Sequence, residues 1–205
     1  GFAGVAVRGR GWNVMTKLVA AGDRTGDGRA DLLAVRRDGA LVLYPGDGVG
    51  WVTAGRVVGT GFEVMESVVN AGDVTGDGLL DLVASRPSNG RLYLYPGSAD
   101  GGIESAVVWG GGWQRLDQLV SGVDADGDGL AGDITTRQSD GRMRSYYADE
   151  TGRLTRVNTW GRGWGGLDNL SSGADWTGDG TPDVLGRVTA TGDLRVYAGT
   201  GERDF

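Results

Sequence analysis

The chain has no cysteine and no histidine, a single lysine at Lys17, and only four prolines. Without cysteine there is no disulfide and no thiolate nucleophile, and without either residue there is no Cys/His zinc site. The missing imidazole removes the Ser-His-Asp arrangement and the commonest general base. No run approaches the ~18 apolar residues of a membrane span, so none is expected. No secretory signal opens the sequence, which is expected of a chain that starts after processing or of a domain taken from something longer. The net charge of -7 argues against a nucleic-acid surface.

Glycine is abundant, at 41 of 205 residues, yet 39% of the chain is hydrophobic, enough for a folded core. No Gly-X-Y period is present, so the glycines read as turn punctuation. Acidic loops begin at Asp23, Asp73, Asp124 and Asp175, at intervals of 50, 51 and 51 residues. Tyr44, Tyr95, Tyr146 and Tyr197 recur at 51. A Gly-x-Gly-aromatic turn recurs as well, ending at Trp12, Phe62, Trp113 and Trp164, at intervals of 50, 51 and 51. Independent markers on one period establish an internal repeat.

One unit reads as four short strands: Ser67 to Ala71, Asp81 to Ser85, Arg91 to Tyr95 and Glu104 to Trp109. No window holds a helical period; Glu63 to Val69 comes nearest but is short and β-branched. Four-stranded units of this length predict an all-β fold, a β-propeller of four blades with four antiparallel strands each. Phe2 to Arg8 aligns with a fourth strand, and the last unit stops after Leu194 to Ala198. The N-terminal strand is therefore expected to close the ring, an open array or an oligomeric ring being the alternatives. Residues 1–205 form one repeat domain, with loops at 23–31, 73–81, 124–133 and 175–183.

The loops carry the clearest chemistry. Oxygen donors stand at the first, third and fifth positions: Asp23, Thr25 and Asp27; Asp73, Thr75 and Asp77; Asp124, Asp126 and Asp128; Asp175, Thr177 and Asp179. The seventh residue, Arg29, Leu79, Leu130 or Thr181, offers a backbone carbonyl, and Asp31, Asp81, Asp133 or Asp183 opens the next strand. Oxygen-only donors select a hard cation, and several carboxylates in a flexible loop favour Ca²⁺ over Mg²⁺. Up to four Ca²⁺ ions are expected. Thirteen of the 27 acidic residues lie in these loops, so four divalent ions would move the charge from -7 to +1. The third loop has one extra residue, with Gly132 where the ninth-position Asp is usual, and ranks below the others. An EF-hand is excluded because the Glu at the twelfth position and the flanking helices are missing.

These loops resemble the FG-GAP/VCBS repeat family, which also builds the integrin α-chain propeller. The motif D-x-[TND]-G-D-G-x-x-D-[LIV] is matched by Asp23 to Leu32, Asp73 to Leu82 and Asp175 to Val184, and with an insertion by Asp124 to Ile134. The likeness is strongest to repeats appended to secreted bacterial hydrolases, proteases and surface proteins. It implies propeller blades, a Ca²⁺ per loop, a secreted, extracellular setting and a binding role; some related propellers are lectins.

The expected function is a calcium-stabilised extracellular binding module, carbohydrate-binding in the manner of a lectin. Its partner would be a glycan or cell-surface polysaccharide. Trp12, Phe62, Trp113 and Trp164 could stack on sugar rings, with Arg10 and Arg162 donating to hydroxyls; the competing reading wedges these aromatics between blades as core. Thr16, Glu66, Asp117 and Asp168 follow them as further polar positions. The alternative is a protein-interaction or adhesion propeller with a protein partner. Catalysis is not expected, because a regular repeat supplies equivalent residues in every blade.

Overall fold

The computed structural model describes residues 9–121, 124, 128–181 and 183–199. These residues form a four-bladed β-propeller. The first blade runs β1 (Met15–Gly22), β2 (Asp31–Arg36), β3 (Leu41–Tyr44) and β4 (Arg56–Gly59). The second is β5 (Ser67–Gly72), β6 (Asp81–Arg86), β7 (Arg91–Tyr95) and β8 (Val107–Gly111). The third is β9 (Leu116–Ser121), β10 (Ile134–Gln138), β11 (Met143–Ala148) and β12 (Leu154–Thr159). Blade four contributes β13 (Leu167–Ala174), β14 (Asp183–Val188) and β15 (Leu194–Tyr197) among the described residues. The closing strand expected from Phe2 to Arg8 lies outside them.

Within each blade, every strand pairs antiparallel with the next in sequence. β6 is buried along five of its six residues, as a strand covered on both faces should be. The outer strand β12 is mostly exposed, and β4 is exposed over its first two residues, which suits a blade's edge. The inner strands stand side by side around a hub, β1 on β5, β5 on β9 and β9 on β13. No comparable packing joins β13 to β1 among the described residues.

The core is not one body but a series of layers between blades. Leu33, Val35, Leu41 and Leu43 of the first blade meet Phe62, Val68 and Leu82 of the second. Val83, Leu92 and Leu94 then meet Trp113, Leu119 and Ile134, and Val120 and Met143 meet Trp164, Leu170 and Val184. Each handover is a tight turn whose second glycine is left-handed: Gly11, Gly61, Gly112 and Gly163 have φ of 82°, 83°, 88° and 104°. Only glycine takes that conformation without penalty, which explains the Gly-x-Gly-aromatic signature. Single 3-10 turns follow at Trp12–Val14, Phe62–Val64 and Trp164–Gly166; the nearest helical candidate in the sequence is no more than the second of these. No helix among the described residues is long and apolar enough to cross a membrane.

Candidate functional site

Each acidic loop is organised by its own backbone amides. Asp23 Oδ1 accepts the N–H groups of Gly26 and Asp27 at 2.8 and 3.1 Å, and Oδ2 accepts that of Gly28 at 2.7 Å. The same three bonds recur at Asp73 and Asp175, and two of them join Asp124 to described residues. The fifth residue takes one further amide: Asp27 from Arg29, Asp77 from Leu79, Asp128 from Leu130 and Asp179 from Thr181. These curls need residues with positive φ, which Gly26 and Gly28 supply.

The ninth-position carboxylates are separate from this curl. Asp31 is buried, its Oδ2 accepting the amides of Arg24 and Thr25 at 2.9 and 3.0 Å and its Oδ1 that of Gly46 at 2.9 Å. Asp81 does the same with Val74, Thr75 and Gly97, and Asp183 with Trp176, Thr177 and Gly199. Asp133 is equally buried and accepts the Ala148 amide at 2.9 Å. The inserted residue of the third loop is thus absorbed before Asp133, which keeps its structural place. Burial pushes the Asp81 carboxyl up against the pull of its three amides. At Asp183 the Gly199 amide leads and the carboxyl is held low.

Among the described residues no three acidic side chains converge into a group that could hold a metal ion; Asp126 lies outside them. Two features nevertheless fit a hard cation. All side-chain donors are oxygens, and Thr25 Oγ1, at the third position, is a buried hydroxyl without a hydrogen-bond partner. Asp23 and Asp27 would hold such an ion with Thr25 and the Arg29 carbonyl, while Asp31 is committed to the blade.

The aromatic turns sit differently from the sugar-stacking expectation. Phe62, Trp113 and Trp164 are only 1%, 8% and 8% exposed. Each packs obliquely on the tyrosine of its own blade, with ring centroids 5.0, 4.5 and 4.6 Å apart. Their backbone amides donate to Gly39, Gly90 and Gly141 of the preceding blade at 3.0, 3.0 and 3.1 Å. They are wedges between blades, with no face left for a sugar. Trp12, against Tyr44 at 4.8 Å, is half-buried, and Arg10 and Arg162 are exposed.

Three of the polar positions after those aromatics, Thr16, Glu66 and Asp117, line the hub instead. A cavity of about 760 Å³ there is lined by the four inner strands, with Glu66, Asn70, Asp117, Gln118, Arg137 and Asn169 among its residues. Arg137 Nε donates to Asp117 at 2.7 Å, and its Nη1 also reaches the Leu167 carbonyl in the next blade. Arg187 holds Asp168 through two bonds of 2.7 and 2.6 Å, which keeps that carboxyl below its ordinary range. Sequence reasoning missed both arginines. The signal was their place, each four residues after a ninth-position Asp.

One family comparison falls on the first two loops and the strands between them. Residues 23–84 match the family model of the FG-GAP-like repeat. No curated protein matches the chain. Among solved structures it is similar to a lectin from Agrocybe aegerita that specifically recognises non-reducing terminal N-acetylglucosamine. That match has 18% identity and a TM-score of 0.55, covering 90% of this chain and 52% of that one. A second similarity, to BBS1N in complex with ARL6DN, has 13% identity and a TM-score of 0.48, covering 89% and 51%. The chain spans about half the length of both. At 18% identity the first likeness concerns the fold alone.

Proposed function

We propose that the chain is an extracellular glycan-binding propeller whose recognition surface is the hub, with Ca²⁺ as a scaffold ion in its acidic loops. The observation that carries this reading is the polar cavity framed by Glu66, Asn70, Gln118 and Asn169. Carboxylate and amide side chains on rigid strands supply the donors and acceptors that orient sugar hydroxyls. A lectin shares the fold, which makes terminal N-acetylglucosamine the first sugar to try. Binding fits the hub better than catalysis does. A glycosidase needs one carboxyl raised to serve as an acid, whereas Asp117 and Asp168 are each tied to an arginine.

The loops suit an extracellular setting, where sites with dissociation constants of ~10⁻⁴ to 10⁻³ M fill. A glycan array in the presence of Ca²⁺, followed by titration of the best sugar into wild type and Glu66→Ala, tests the reading. Glu66 is exposed, so its loss should abolish sugar binding and leave the melting temperature unchanged. An array without a single glycan hit would sink the lectin reading and favour a protein partner.

A further inference from the structure

The polar position that follows each aromatic turn is occupied by Thr16, Glu66, Asp117 and Asp168. In the third and fourth blades its carboxylate is neutralised within the blade, Asp117 by Arg137 at 2.7 Å and Asp168 by Arg187 at 2.6 Å. In the first blade there is no carboxylate, and the Thr16 hydroxyl donates to the Val35 carbonyl at 3.1 Å. The second blade keeps the carboxylate but not the arginine. The residue matching Arg137 and Arg187 is there Ser85, fully buried, whose hydroxyl accepts the Ser67 amide at 3.2 Å. Glu66 is exposed, and its carboxylate has no partner among the described residues.

The next position breaks on the same side of the hub. Ser67 and Gln118 are spent on the blade ahead of them. Ser67 Oγ accepts the Leu119 amide at 3.2 Å, and Gln118 Nε2 donates to the Leu170 carbonyl at 3.1 Å. The first blade places Lys17 there, the single lysine of the chain. Its ammonium has no partner among the described residues either. Lys17 stands on β1 and Glu66 just before β5, the two strands are neighbours around the hub, and both residues line the 760 Å³ cavity. One unneutralised cation and one unneutralised anion therefore border a space of the size that holds a small ligand.

These charges restrict what can cover them. A neutral sugar would take the ammonium and the carboxylate out of water without replacing their hydration, which is costly. A ligand bearing the opposite charges replaces it with two charge-assisted hydrogen bonds. The far side of the hub asks for no such charge, because Asp117 and Asp168 are already paired.

We propose that the hub selects a zwitterionic sugar, an amino sugar that also carries a carboxylate, with its ammonium on Glu66 and its carboxylate on Lys17. This rests on the hub being the recognition surface, and it narrows the class of sugar recognised there. The symmetry of the repeat supplies the reason: both departures lie on adjacent blades, and each leaves a charge that its counterparts do not.

Isothermal titration of defined sugars tests this. Muramic acid, with an amine on its ring and a carboxylate on its lactyl ether, should bind at least ~10-fold tighter than glucosamine, glucuronic acid or N-acetylglucosamine, about what one charged hydrogen bond contributes. Glu66→Gln should erase the advantage of muramic acid over N-acetylmuramic acid, and Lys17→Gln its advantage over glucosamine. Neither charged group is bonded to a described residue, so both variants should keep the wild-type melting temperature. N-acetylglucosamine binding as tightly as muramic acid, and lost in Glu66→Ala, would reject the zwitterion while keeping the hub as the sugar site; the two charges would then satisfy each other beneath a neutral ring. Muramic acid binding equally well to wild type and both charge variants would also reject it. If no sugar binds, this inference falls together with the glycan reading of the hub.

Discussion

The ring of Trp113 lies 4.5 Å from that of Tyr146, centroid to centroid, with the planes tilted by 60°. The indole is buried in one cluster with Leu92 and Leu94 of the blade before it. Trp113→Ala removes the wedge and should cost ~3–5 kcal/mol. Thermal melts should show the loss, and the protein that stays folded should bind glycan as before. A variant that melts normally but loses sugar binding would return this residue to the recognition surface.

Arg24 makes a second kind of junction contact, a buried guanidinium on two glycine carbonyls. Burial pulls its pKa down while Asp81 and Asp31 oppose that, so it remains a cation. Arg24→Ala should lower stability by ~2–3 kcal/mol, the scale of a charged hydrogen bond left with its acceptors unpaired. Chemical denaturation would measure it, and a change below a few tenths would mean water replaces the guanidinium.

Calcium and the carboxylates can be told apart by position. Asp81→Ala strands the buried amides of Val74 and Gly97 and the part-buried one of Thr75, at ~1–3 kcal/mol for each buried one left without an acceptor. It should therefore destabilise the protein equally in Ca²⁺ and in EDTA. Asp77 is exposed, and Asp77→Ala should lower the melting temperature chiefly when Ca²⁺ is present, because an ion that binds only the folded state raises stability. If EDTA leaves the wild-type melting temperature unchanged, the loops close on amides alone.

The Arg36–Asp38 pair sets a pH dependence. Arg36 Nε and Nη2 donate to Asp38 at 2.8 and 2.6 Å, and the guanidinium holds the carboxyl down to about 2. A carboxyl depressed on folding contributes stability above its unfolded value of ~3.9, and that contribution fades as pH falls toward the folded value. The pair is exposed, so the effect on overall stability is small. Carboxyl NMR titration should place Asp38 near 2 in the wild type and close to its ordinary value in Arg36→Gln.

Much of the architecture was legible because repetition made each marker confirm the others. β7 runs from Arg91 to Tyr95 as expected, and β6 extends only one residue beyond Ser85. The fourth strand was expected from Glu104 but begins at Val107, because the Glu104 amide bonds to Pro96 in the preceding turn. The direction of the aromatic residues was not legible. A period of 51 residues shows that Trp113 and Trp164 share an environment, without showing on which side the neighbouring blade lies. The division of labour among the loop carboxylates was hidden for a similar reason. Spacing brings Asp23, Asp27 and Asp31 within nine residues, but Asp31 faces the Gly46 amide after β3, fifteen residues away along the chain.

In the first two loops the second and ninth residues therefore answer to different neighbours, the second, Arg24 or Val74, acting as a key in the glycine turn of the next blade. The ninth is bound to amides of its own blade, and its requirement stays the same whatever stands next to it. The second must suit the blade that follows: a side chain at Gly101 would come within 2.8 Å of the Arg24 carbonyl oxygen, and one at Gly152 within 2.7 Å of that of Val74. Whole units could thus be duplicated, deleted or exchanged as self-contained modules, provided that each key travels with its socket. Drift at the key is a change of address, altering which blade may follow without disturbing the blade that carries it.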